Sequence, residues 1–207
     1  MVIFKPLIQS LRPKHWTKNL LVFSAPLFSF DASINTWFSA IIALFVFCLI
    51  SSAVYQINDL IDIDLDKKHP VKKFRPIASG RIKKKFVISS SIFLFFLSLV
   101  ISINVNLQLF FIIGVYGVIQ VLYCLRFKNE PILDIFCISS GFLLRSSAGG
   151  VAANLYISPW FYLTVGLLSL FLAIEKRKAE LRTTNDTGEI TRAVLTQYSL
   201  PLLLRFE

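Results

Sequence analysis

The sequence predicts an all-α integral membrane protein, a multi-span bundle of transmembrane helices built as one domain over residues 1–207, and three observations carry that prediction. Hydrophobic residues make up 55% of the chain and 20 of them are Phe, more apolar surface than a soluble domain of this length covers. The apolar residues fall in runs that approach the roughly 20 needed to cross the hydrocarbon core as a helix. Lys and Arg gather in alternate connections between those runs, as they do in a chain that threads back and forth across a bilayer.

The first run, 16–30, is short and carries Pro26, which predicts a kinked or tilted span. It lies behind Lys14 and Lys18 as a signal peptide would, but no small-x-small cleavage site follows it and further apolar runs do. Runs at 34–57, 86–103, 107–125, 132–153 and 158–174 predict five more spans. A seventh starts near 192–207 and reads as the entrance to a span that does not cross, as though the bundle were truncated before its last helices.

Orientation follows from the basic residues. The N-terminal arm holds Lys5, Arg12, Lys14 and Lys18, and the connection after the second run holds nine Lys and Arg from Lys67 to Lys85. Arg126 and Lys128 follow the fourth run, and Lys176, Arg177, Lys178, Arg182 and Arg192 follow the sixth. The three intervening connections hold none. The positive-inside rule therefore puts the N-terminus and every even-numbered connection in the cytoplasm, with the protein in the cell (inner) membrane. Trp16, Trp37 and Trp160 fall at predicted span ends, where an aromatic belt forms.

A net charge of +10 raises the question of nucleic acid. The cations lie beside apolar spans, however, which favours a membrane surface or a phosphate-bearing substrate and argues against a nucleic-acid partner. Cys48, Cys124 and Cys137 lie in or beside apolar runs, with neither metal spacing nor a disulfide framework.

The densest chemistry is Asn58-Asp59-Leu-Ile-Asp62-Ile-Asp64-Leu-Asp66, at the end of the second run. On a continuous helix Asp59, Asp62 and Asp66 share one face, Asn58 borders it and Asp64 is turned away. Three like charges on one face repel unless a cation sits between them, and hard oxygen ligands of this kind suit Mg²⁺. An acidic helix end could also be simply solvated. Here, though, the basic segment from Lys67 through Lys73 and Arg75 to Arg81 follows at once, and metal-holding carboxylates beside cations make a site for a phosphate or diphosphate.

The pattern NDxxDxxxD followed by HPxKxxRPIASG resembles the first aspartate-rich motif of the UbiA-type prenyltransferase superfamily, helical membrane proteins that use Mg²⁺ to bind a diphosphate at the cytoplasmic side. The resemblance implies metal-binding roles for Asn58, Asp59, Asp62 and Asp66 and phosphate contacts for Lys73 and Arg75. Prenyltransferases of aromatic rings or haem carry a second aspartate-rich motif after the sixth span. This sequence has Glu175-Lys176-Arg177-Lys178-Ala179-Glu180-Leu181 there instead. Lys176, Arg177 and Glu180 either grip phosphate or form an ordinary basic flank.

Together with Arg12-Pro-Lys14-His-Trp16-Thr-Lys18-Asn19, Asp134 and the GFLLR stretch ending at Arg145, that run resembles the decaprenyl-phosphate phosphoribosyltransferase branch. The branch implies phosphoribosyl diphosphate as donor, a polyprenyl phosphate as acceptor and Mg²⁺ as cofactor. The other function consistent with the metal helix is transfer of a polyprenyl group from its diphosphate to an aromatic or other small acceptor. A transporter would place ionisable groups near the midplane on broken helices, whereas most of the charge here sits at one mouth.

Arg145 is the exception. It lies about 14 residues beyond Pro131 and roughly 20 Å along a helix. A guanidinium at that depth costs at least ~2.5 kcal/mol, so it lines a wet substrate cavity or pairs with a neighbouring span. Asp134 near the start of the same run is a candidate ligand or a partner for Arg or Lys, and Tyr123 and Lys128 flank the same mouth. Ala148-Gly149-Gly150 suits close helix packing.

Overall fold

The computed structural model describes residues 4–187, so the expected seventh span near 192–207 lies outside the described residues. The chain runs through α1 (Phe4–Ser10), a 3-10 segment (Pro13–Phe23), α2 (Ser24–Ser29), α3 (Ile34–Ile61), α4 (Ile63–Lys68), α5 (Lys84–Val105), α6 (Leu107–Leu125), α7 (Leu133–Ala152) and α8 (Pro159–Thr187). Short 3-10 turns at Lys72–Phe74 and Phe127–Asn129 interrupt two connections, and no strand occurs among the described residues. Five helices are long and apolar enough to cross a bilayer: Ile34–Ile61, Lys84–Val105, Leu107–Leu125, Leu133–Ala152 and Pro159–Arg182.

The run at 16–30, expected to be kinked or tilted at Pro26, is irregular along most of its length. It forms a 3-10 segment that opens on Pro13, then the short α2, which ends where Phe30 takes a left-handed φ of 53°. Pro26 sits in the first turn of α2, where its missing N–H costs nothing. This irregular stretch packs on α3 and α7. It reaches α7 closely because a Cβ at Gly149 would lie 2.1 Å from the Val22 carbonyl oxygen and one at Gly150 would lie 2.8 Å from Ala25 Cβ.

The long helices alternate in direction, and side-chain caps start two of them at the less charged end. Ser33 Oγ accepts the Thr36 N–H at 3.3 Å to start α3. Asn106 Oδ1 accepts the Leu109 N–H at 2.7 Å to start α6, while its amide donates to the Val151 carbonyl at 2.8 Å and ties α6 to the end of α7.

Burial is inverted relative to a soluble protein. In α5 the buried residues are Val87, Ser91, Ser98 and Ser102, whereas Ile92, Phe93, Phe96 and Val100 face outward, where the lipid would be. Small residues on the inner face let helices approach closely. The core gathers Val46, Phe47 and Ile50 of α3, Leu109, Ile113 and Tyr116 of α6, and Ala148 and Ala152 of α7 around Val22. At the other end of these helices lie the acidic motif and the basic connections.

Candidate active site

The helix carrying the acidic motif is not continuous. Asp62, at φ −88° and ψ 9°, closes α3 and opens α4, although its N–H still donates to the Asn58 carbonyl at 2.9 Å and its carbonyl accepts the Asp66 N–H at 2.8 Å. The break divides the three carboxylates. Asp59 and Asp66, 2% and 3% exposed, converge on one nitrogen: Arg75 Nη1 donates to Asp59 Oδ1 at 3.2 Å and to Asp66 Oδ2 at 2.6 Å. Asp62 pairs instead with Lys128 Nζ. Among the described residues no three carboxylate, imidazole or thiolate groups stand together as a preformed metal cluster.

Two carboxylates still fit a hard divalent ion. The Arg75 nitrogen occupies the place between Asp59 and Asp66 that a bridging cation takes. Mg²⁺ itself usually uses one or two carboxylates and completes its shell with water and phosphate oxygens. Asn58, half-buried one residue before Asp59, is the neutral oxygen nearest in sequence. Asp64 is exposed and pairs with Lys67 at 3.4 Å, as its position on the far face predicts.

Each carboxylate is met by a cation from a different part of the chain: Arg12 from the N-terminal arm on Asp59, Arg75 from the loop after α4, and Lys128 from the connection between α6 and α7 on Asp62. Spacing missed Arg12, which reaches 47 residues along the chain; its only signal was the Arg12-Pro-Lys14-His-Trp16 cluster. Its guanidinium also lies over the Tyr55 ring at 5.2 Å, and His15 packs on the same ring with centroids 5.3 Å apart. Tyr55 and His15 were likewise not singled out. Burial and the neighbouring cations Arg12, Lys18, Arg75 and Lys176 push the His15 imidazole below its usual range. Lys18 and Lys176 thus stand near His15 at this mouth with Arg75.

The remaining candidates divide. Lys73 is exposed, with its ammonium 5.2 Å from the Phe74 ring centroid. Arg177 is fully buried and forms a structural clamp, with Nε 2.6 Å from Asp134 Oδ2 and Nη1 on Glu180. The contact with Asp134 is an ion pair without hydrogen-bond alignment, which leaves Arg177 Nε and Nη2 without hydrogen bonds among the described residues. Tyr123 Oη donates to the other Asp134 oxygen at 3.0 Å. Asp134 thus belongs to Arg177 and Tyr123. Arg145 is 7% exposed and donates to Asn19 Oδ1 at 2.9 Å, to the Gly141 carbonyl at 2.8 Å and to the Tyr116 hydroxyl, with the Tyr116 ring 4.8 Å away.

A helical membrane bundle with buried carboxylates at one charged mouth, each answered by Arg or Lys, defines a class: multi-span helical membrane proteins with a polar, charge-paired mouth. The chain belongs to the UbiA prenyltransferase family, whose sequence model matches residues 20–188. It is 41% identical over 198 residues to the decaprenyl-phosphate phosphoribosyltransferase of Mycolicibacterium smegmatis, covering 93% of this chain and 62% of that one. It is 42% identical over 205 residues to the enzyme of that name from Corynebacterium glutamicum, covering 97% and 61%. The chain therefore spans less than two thirds of the length of these relatives. A UbiA homologue of Archaeoglobus fulgidus bound to GPP and Mg²⁺ superposes with TM-score 0.79 at 22% identity, covering 97% of this chain and 72% of that one. A digeranylgeranylglyceryl phosphate synthase structure superposes equally well at 24% identity, covering 100% and 72%. These two likenesses establish the fold.

Proposed function

We propose that the protein is a membrane transferase that moves a phosphoribosyl group from phosphoribosyl diphosphate to a polyprenyl phosphate, assisted by Mg²⁺, at the cytoplasmic face. The observation that carries the chemistry is the convergence of Asp59 and Asp66 on one cationic nitrogen, with Arg12 and Lys128 beside them. The choice of substrates rests on the named relatives and on the run Glu175–Leu181, which offers Lys and Arg where a second aspartate motif would stand. The cytoplasmic placement rests on the basic connections, all at the carboxylate end.

Asp59 and Asp66, with Asn58 and a reoriented Asp62, would hold Mg²⁺ on the donor diphosphate. The ion would neutralise the diphosphate as it departs. Arg75, released from the carboxylates, and Arg12 and Lys128 would then donate hydrogen bonds to the diphosphate oxygens. The bond from the anomeric carbon to the diphosphate oxygen breaks, and the oxygen keeps the electron pair. A bond from that carbon to an acceptor phosphate oxygen forms in its place. Charge stabilisation dominates such an oxocarbenium-like step. The acceptor phosphate is an anion at neutral pH, so no general base is needed.

The test supplies the protein in membranes or detergent with Mg²⁺ and radiolabelled phosphoribosyl diphosphate, with and without polyprenyl phosphate, and counts label entering the organic phase. Lipid-dependent and Mg²⁺-dependent label is expected. No transfer by protein that melts cooperatively would overturn the substrate assignment and direct the same assay to labelled prenyl diphosphates.

A further inference from the structure

Arg145 is a buried cation whose protein partners are all neutral. It donates to an amide oxygen, a backbone carbonyl and a phenol, and no carboxylate of the described residues pairs with it. The other buried cations differ: Arg177 and Lys178 each have a carboxylate in contact. A desolvated charge left uncompensated is costly, and the cost is recovered only when an anion arrives. The guanidinium is also held in place. Asn19 donates through Nδ2 to Ser51 Oγ at 3.2 Å and to Cys48 Sγ at 3.4 Å, which fixes its Oδ1 toward Arg145, and Phe47 and Tyr116 flank the plane.

Lys18, one residue from Asn19, makes no ion pair among the described residues, and it lies within electrostatic reach of Arg145 and Arg12. Tyr55 lies within reach of the same two arginines, which connects this pole to the carboxylate pole where Arg12 meets Asp59.

We propose that Lys18 and Arg145 form a phosphate-monoester subsite, distinct from the diphosphate site at Asp59 and Asp66 and positioned by Asn19 and Tyr116. The inference rests on the transferase reading, in which two phosphate monoesters must enter the cavity: the head group of the polyprenyl phosphate and the 5-phosphate of the sugar donor. A guanidinium fork beside an ammonium recognises either.

The experiment measures binding by calorimetry in detergent with three probes, farnesyl phosphate, ribose 5-phosphate and pyrophosphate with Mn²⁺, to wild type, Lys18→Gln and Arg145→Gln. Each variant is expected to weaken a monoester probe by about tenfold or more, the size of one charge-assisted hydrogen bond, while leaving Mn²⁺–pyrophosphate affinity in place. Loss confined to farnesyl phosphate assigns the subsite to the acceptor lipid, and loss confined to ribose 5-phosphate assigns it to the donor sugar. Lys18 is exposed, so its variant answers even where Arg145→Gln does not fold. Wild-type affinity for both monoesters in Lys18→Gln, or equal loss of all three probes, overturns the proposal. Failure of wild type to bind Mn²⁺–pyrophosphate counts against the transferase reading instead and leaves the monoester arms to decide.

Discussion

Replacing Arg75 by Gln should strengthen metal binding and weaken diphosphate binding in the same variant. Arg75 Nη1 donates to Asp59 at 3.2 Å and to Asp66 at 2.6 Å, so a divalent ion entering between these carboxylates must displace it. A hydrogen bond to a charged group is worth about 1.5–3 kcal/mol when buried. The Arg75 side chain is 27% exposed, and its charge is re-solvated when it leaves, so a net barrier near the lower bound of about 1.5 kcal/mol is the reasonable figure. That predicts roughly tenfold tighter Mn²⁺ binding by Arg75→Gln in the absence of diphosphate. With pyrophosphate present the sign reverses, because the displaced guanidinium is then a ligand for the anion and the variant lacks it. Mn²⁺ titration followed by electron paramagnetic resonance, with and without pyrophosphate, measures both. Unchanged Mn²⁺ affinity without pyrophosphate would show that Arg75 does not stand in the metal's place and would sink the reasoning.

Asp59→Asn should abolish turnover at saturating Mg²⁺ in the labelled-transfer assay, and wild-type turnover would remove Asp59 from the metal site. Gly149→Ala drives a Cβ to 2.1 Å from the Val22 carbonyl and should cost about 1–3 kcal/mol, read as a lower melting temperature in detergent. Arg177→Met strands the buried Asp134 and should destabilise by about 3–5 kcal/mol, with most of it recovered in Arg177→Met/Asp134→Leu; a double variant no better than the single would show that the pair is not the cause. The His15 imidazole, held below its usual 6.5, is neutral at pH 7 and contributes stability above 6.5 that is lost as pH falls through the folded value. A bound diphosphate offsets the cations around it and raises that value, so calorimetry below pH 6.5 in buffers of different ionisation enthalpy should register proton uptake that His15→Asn lacks.

The bundle was legible because hydropathy runs and basic connections are local signals, each written within about twenty consecutive residues. The 16–30 run was legible as irregular from Pro26, but its course was not. Its residues are apolar enough to span, yet the backbone is set by packing on Gly149 and Gly150 in α7, some 120 residues away. The acidic motif was legible in composition and only partly in geometry. Spacing put three carboxylates on one face, but the turn at Asp62 and its pairing with Lys128, 66 residues on, are not written in the local sequence. Arg177 stayed open between a phosphate grip and a basic flank because its contact with Asp134, on a neighbouring helix, is not written in the local sequence. Arg145 was visible as an anomaly of depth. Its neutral partners Asn19 and Tyr116 were not, since nothing in either local sequence marks them as facing a guanidinium.

The charge balance of the carboxylate pole makes a further demand on its ligand. Asp59, Asp62 and Asp66 are matched there by Arg12, Arg75 and Lys128, three against three, so the paired groups balance as a set. A divalent ion arriving alone adds two positive charges to a place that already holds three cations. A diphosphate arriving alone adds several negative charges beside three carboxylates. Either intrusion is opposed in a partly buried site where screening by water and salt is weak. Their complex brings both charges together: its metal faces the carboxylates, and its phosphate oxygens take up the cations the metal displaces. The arrangement therefore favours the metal–diphosphate complex over either part, and metal and diphosphate should bind with positive coupling. By linkage the factor by which pyrophosphate tightens Mn²⁺ must equal the factor by which Mn²⁺ tightens pyrophosphate. In Arg75→Gln that common factor should shrink from both directions at once, which a merely structural role for Arg75 would not produce.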